Sequence, residues 1–227
     1  CISGCLNIAG HGGMSKGNAT FTAPNGLQLP DNAIQKARIR RTKLYFEDRT
    51  EFFNQLIVEI QKFIKKANNK GLIPVVRLNG TSDIPWENQK VTFQGFTSSN
   101  IFEIFPKIQF YDYAKTYNRA TKKQPNNYHL SLSYSLASFQ YSVNVMKASK
   151  ESEKNLIVVV RDLETKRKLL AESSTFIDGD ISDLRFKDAS NSIVLLKAKG
   201  KAKKDESGFV LDYADALWTY KIRQIAA

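Results

Sequence analysis

Short apolar runs interleaved with helical segments constrain this chain's fold more than any other feature. The runs are LIPVVRLNG (72–80), KIQFYDY (107–113), YHLSLSYS (128–135), NLIVVVRD (155–162) and SIVLLKAKG (192–200). Each is too short for a helix and rich in β-branched or aromatic residues, so each reads as a strand. IFEIF (101–105), ASFQYSVNVMKAS (137–149) and ETKRKLLAE (164–172) read as short helices between them. Alternation of this kind predicts an α/β fold: a mostly parallel sheet with helices outside, doubly wound or a partial or distorted (βα) barrel. The 227 residues, 42% of them hydrophobic, suit a single α/β domain over 1–227.

The first thirty residues have no period and are punctuated by glycines and by AlaPro and LeuPro, so they read as a glycine-rich surface loop. Asp31 is placed to cap a helix starting near Ala33. Asp48, with Glu51 three residues later, opens the clearest helix, in which Phe53, Leu56, Ile57, Ile60, Phe63, Ile64 and Ala67 form one apolar stripe. Asn68, Asn69 and Gly71 end it.

Lysine and arginine number 34 against 22 acids, a formal net charge of +12, which favours a polyanionic partner and DNA or RNA first. The basic residues cluster. Lys36, Arg38, Arg40, Arg41 and Lys43 lie in KARIRRTK, and Lys199, Lys201, Lys203 and Lys204 in the tail of KAKGKAKK. Both clusters are candidate phosphate contacts. No run of about 18 apolar residues exists to span a membrane. The two cysteines would close only a very small disulfide ring, so a reducing cytoplasm is the expected compartment.

Parallel α/β folds bind ligands at the carboxyl ends of their strands. Those ends here are polar, and Arg77, Asn79, Asp83, Asp112, Lys115 and Arg161 are the expected substrate-positioning residues. The structural alternative is that Arg77, Asp112 and Arg161 pair with one another. No nucleophile elbow, Walker loop, HExxH or paired CxxC identifies a reaction. GHGG (10–13) is only loosely like a phosphate cradle. IDGDISD (177–183) reads as a solvated turn with Asp180 capping, in preference to a calcium loop. His129 reads as structural or exposed. Cys1, Cys5 and His11 are candidate metal ligands, with a fourth needed from elsewhere for zinc.

The segments SGCLNIAGHGGM, ARIRRTKLYFEDR, VVRLNGTSDIPWE, IFPKIQFYDYAK, FIDGDISDLRF and LKAKGKAKKDESGF together resemble a phage-encoded family named after mycobacteriophage gene product eighty-eight. The resemblance brings no established activity and implies the cytoplasm of an infected bacterial host. It further implies a strand and a third cysteine upstream of Cys1. That arrangement is similar to radical S-adenosylmethionine proteins, which hold a [4Fe–4S] cluster on three cysteines. Two functions follow as expectations. One is a metal- or iron–sulfur-dependent enzyme acting on nucleic acid or nucleotides through the strand-end residues. The other is a non-catalytic basic protein that binds nucleic acid.

Overall fold

The computed structural model describes residues 10–225, with only the backbone of His11 and Lys201. The chain packs as two compact units.

The first unit comprises residues 10–76 and Pro85–Gln109. Strands β1 (Thr20–Thr22) and β2 (Gln28–Pro30) form an antiparallel hairpin within the expected N-terminal loop. Three-residue strands are too short to carry a visible period. Helix α1 (Ala33–Glu47) is capped by Asn32, whose side chain accepts the Gln35 N–H at 2.8 Å. Asp31, the expected cap, instead pairs with Lys36 at 2.6 Å. Helix α2 (Arg49–Asn68) is capped by Asp48 as its spacing predicts, and Phe53, Ile57, Ile60 and Ala67 are buried. Gly71, at φ +66°, turns the chain out of it.

The run at 72–80 yields only strand β3 (Val75–Val76). Pro74 precedes it, and the Asn79 side chain organises the loop after it. Strands β4 (Val91–Phe93) and β5 (Phe96–Ser98) make a second hairpin. Gln94 and Gly95 at its tip both have positive φ, the geometry of a two-residue turn matched to strand twist. Asn100 caps the short helix α3 (Ile101–Ile104).

The second unit comprises Arg77–Ile84 and residues 110–225. Its elements are β6 (Gln109–Ala114, entering from the first unit), β7 (Tyr128–Ser133), α4 (Phe139–Glu151), β8 (Leu156–Val160), α5 (Leu163–Glu172), β9 (Phe176–Asp178), β10 (Ile193–Lys197), β11 (Val210–Leu211) and α6 (Tyr213–Ile225). The strand order is β6-β7-β8-β10-β9, and every neighbouring pair is parallel. β7 pairs with the first residues of β8, and β11 runs parallel to its last ones.

Register sorts the side chains by face. Phe110, Asp112, Leu130, Leu132, Leu156, Val158, Val160, Ile193 and Leu195 share one face, against which α4, α5 and α6 pack. Tyr111, Tyr113, His129, Ser131, Ser133, Ile157, Val159, Val194 and Leu196 share the other.

The sheet curls toward that second face. Phe186 contacts the ring of Tyr111 on β6 at 6.0 Å. The adjoining Arg185 bonds the Gly179 carbonyl, just past β9, at 3.0 Å. Helices on one side and a strand order that does not close on itself make this a partial or distorted barrel.

Candidate functional site

The six expected substrate-positioning residues do not converge. Asp112 points to the helix face and is fully buried. Its carboxylate accepts the Asn79 backbone N–H at 2.7 Å, the Asn79 side-chain amide at 3.3 Å and the Tyr128 hydroxyl at 3.1 Å. Burial, outweighing these bonds, pushes the Asp112 carboxyl up to about 6. Arg119 links this group to Asp83, donating to Tyr128 at 2.9 Å and to Asp83 at 2.6 Å. Asp83 also accepts the N–H groups of Lys115 and Thr116. Asn79, Asp83 and Asp112 therefore fasten the Arg77–Ile84 segment to β6. The Lys115 ammonium lies over the Phe209 ring at 5.0 Å.

Arg161 ties a second corner. It pairs with Asp212 at 2.6 Å and donates to the Lys203 and Asp205 carbonyls, pinning the chain that leads into β11. Arg77, Asp112 and Arg161 make no ion pairs with one another, so the capping alternative is corrected as well. Each has found a nearer partner.

The acidic stretch at 177–183 forms a third corner. Lys166 of α5 is buried, with Nζ 2.7 Å from Asp178 and 3.0 Å from Asp180. Residues 180–183 of the turn are solvent-exposed, as expected, and a lysine ammonium already serves the carboxylates a cation would use.

Arg77 makes no ion pair or hydrogen bond with any of these. Its guanidinium lies over the Tyr113 ring at 4.3 Å, on the concave face of the sheet. Along that face Tyr111, Ser131, Ile157 and Val194 are buried. Tyr113, Ser133, Val159 and Leu196, each two residues nearer the strand's carboxyl end, are half-buried. The mouth of the half-barrel is therefore partly open, and it is polar along β6 and β7. On the same face Arg185 is 1% exposed, and its Nη1 lies 3.1 Å from Asp188 without hydrogen-bond geometry. His129 Nε2 is 3.2 Å from the Ser131 hydroxyl, and burial pushes the imidazole down to about 4. Burial also raises the Tyr111 and Tyr113 phenols.

In the sequence Tyr113 and Ser133 are simply polar residues near the ends of KIQFYDY and YHLSLSYS, and Arg185 carries no signal because it sits in an irregular crossover. The alternation in YHLSLSYS could have revealed the face: His129, Ser131 and Ser133 fall on one side, Leu130 and Leu132 on the other.

Of the expected metal ligands, Cys1, Cys5 and the His11 side chain lie outside the described residues. Among the described residues no three of His, Cys, Asp and Glu gather as a metal would require. The GHGG backbone is a 3₁₀ turn, and the Gly12 carbonyl accepts the Gln35 side-chain amide at 2.8 Å. That contact offers the loop's acceptor to α1, the reverse of a phosphate cradle's pattern.

The basic clusters are solvent-facing and partly paired. Lys36 pairs with Asp31, Arg41 with Glu59 at 3.7 Å, and Lys43 with Glu47 at 3.9 Å. Lys199 lies 3.8 Å from Asp180, Lys203 and Lys204 are exposed, and the Lys201 side chain is outside the described residues. No helix among the described residues is long and apolar enough to cross a membrane.

A curled parallel sheet, backed by helices and opening a polar mouth at its strand ends, defines this as an α/β half-barrel protein. The chain belongs to the phage Gene product 88 family, whose model matches residues 23–213. No curated protein and no solved structure matches the chain, so its similarity to radical S-adenosylmethionine proteins has no support.

Proposed function

We propose that this protein binds a nucleotide, free or within a nucleic acid, in the concave mouth of its half-barrel, in the cytoplasm of the infected host. One observation carries the reading. On the face of the parallel sheet away from α4, α5 and α6, Tyr113 and Ser133 are half-buried at the carboxyl ends of their strands, and the Arg77 guanidinium lies over the Tyr113 ring. A net charge of +12 favours an anionic ligand, and the Tyr113 ring and the Ser133 hydroxyl supply stacking and hydrogen bonding.

Calorimetric titration at low salt with nucleoside diphosphates and a short single-stranded oligonucleotide tests it. Saturable binding that weakens as salt rises is expected. Heat indistinguishable from dilution for every ligand would refute it.

A further inference from the structure

Arg77 is an unusual cation. It makes no ion pair or hydrogen bond among the described residues, and its Nε is buried without a partner. Its guanidinium carbon lies over the Tyr113 ring, 4.3 Å from the centroid. By contrast Arg161 is occupied by Asp212 and two carbonyls, Lys166 by two carboxylates and Arg119 by Asp83. On the same face Arg185 contributes a second guanidinium whose field, like that of Arg77, reaches both phenols. Arg185 has Asp188 as its counter-ion, and Asp183, whose field reaches the same phenols, makes no ion pair with Arg77. A guanidinium fixed in plane presents paired N–H groups in the fork geometry that fits two oxygens of one phosphate.

We propose that Arg77, laid on Tyr113, is the phosphate anchor of the mouth. The inference rests on the nucleotide-binding reading and adds the group through which the ligand is held. Stacking removes the conformational freedom that an exposed arginine loses on binding, so the site is prepared before the ligand arrives.

The test measures the affinities of the common nucleoside diphosphates, their parent nucleosides and inorganic pyrophosphate by calorimetry. The proteins are the wild type, Arg77→Gln, Arg77→Lys and Tyr113→Leu, each checked for an unchanged melting transition. Diphosphates and pyrophosphate should bind the wild type more tightly than nucleosides do. Arg77→Gln should weaken both phosphate ligands about tenfold or more and leave nucleosides unaffected, because a charge-assisted bidentate contact is lost. Arg77→Lys should recover only part, since an ammonium lacks the fork. Tyr113→Leu removes the platform without touching the charge and should weaken pyrophosphate as well; it decides the matter if the Arg77 variants do not fold. Wild-type affinity for pyrophosphate in Arg77→Gln or, failing that variant, in Tyr113→Leu would overturn the proposal. Nucleoside binding without pyrophosphate binding by the wild type would overturn it and leave the nucleotide-binding reading intact. No binding of any ligand would remove both.

Discussion

Single residues in the half-barrel carry opposed pH dependences. The folded protein holds a proton on Asp112 more tightly than the unfolded chain does, about 6 against 3.8. Asp112 therefore favours folding at low pH, and this contribution is lost as pH climbs through about 6. His129 does the reverse. Its imidazole is held neutral, about 4 against 6.5, so its contribution is whole above 6.5 and lost as pH falls toward 4. Each effect is on the order of 3 kcal/mol across its window. Asp112→Asn should make stability fall more steeply on acidification, and His129→Gln should make it rise, measured by urea unfolding across that range. Parallel profiles in all three proteins would contradict the burial of both groups.

Gly179 offers a second residue-scale test. A Cβ there would meet Val194 Cγ1 at 2.5 Å, Arg185 Nη1 at 2.7 Å and Leu196 Cδ2 at 2.8 Å. Gly179→Ala should cost about 1–3 kcal/mol by overpacking the concave face, read by denaturant titration. At this scale the sequence was legible in residue type and blind to direction. Asp112 and Tyr113 are adjacent and both polar, yet one braces the helix side and the other lines the mouth. The alternation of strand residues would have separated them.

At the scale of elements, legibility followed length and period. Helix α2 and strands β6, β7, β8 and β10 are apparent because their patterns run for several residues. Strands β9 and β11 escape because two or three residues carry no pattern. Helix α6 escapes because its buried positions include Thr219 and Arg223, which do not read as a core stripe. The link between α5 and β9 is polar and equally hidden. Lys166→Met would leave the Asp178 and Asp180 carboxylates without their cation and should cost about 3 kcal/mol or more, seen as a lower melting temperature. Because the lysine already serves both carboxylates, millimolar calcium or magnesium should leave the wild-type melting temperature unchanged. A metal-dependent rise would show that the acids can exchange the ammonium for a divalent ion.

For the molecule as a whole, alternation indicates the fold class, while charge carries only the expectation of an anionic ligand and specifies no binding face. A parallel sheet with outer helices follows from apolar strands that must be covered on the helix side. Its curl depends on the crossover at 183–188, whose Arg185 and Phe186 fill the concave face and whose sequence has no period. The surface charge argues against α1 as the main binding element, because Lys36, Arg41 and Lys43 have acidic neighbours. Reversing Arg40, Arg41, Lys203 and Lys204 together should lower oligonucleotide affinity and its salt slope, while pyrophosphate binding falls less than about threefold through the weaker long-range field. Equal losses for both ligands would place the anion site on the basic surface.

The central claim is that ligand enters the concave mouth. Ser133→Trp would put an indole at that mouth from β7, whereas Lys147→Trp would place the same group on the exposed side of α4. Calorimetric affinity for the nucleoside diphosphate that the wild type binds best should fall by about tenfold or more in Ser133→Trp, with the melting transition retained, and stay unchanged in Lys147→Trp. Undiminished binding in a folded Ser133→Trp protein would contradict the account.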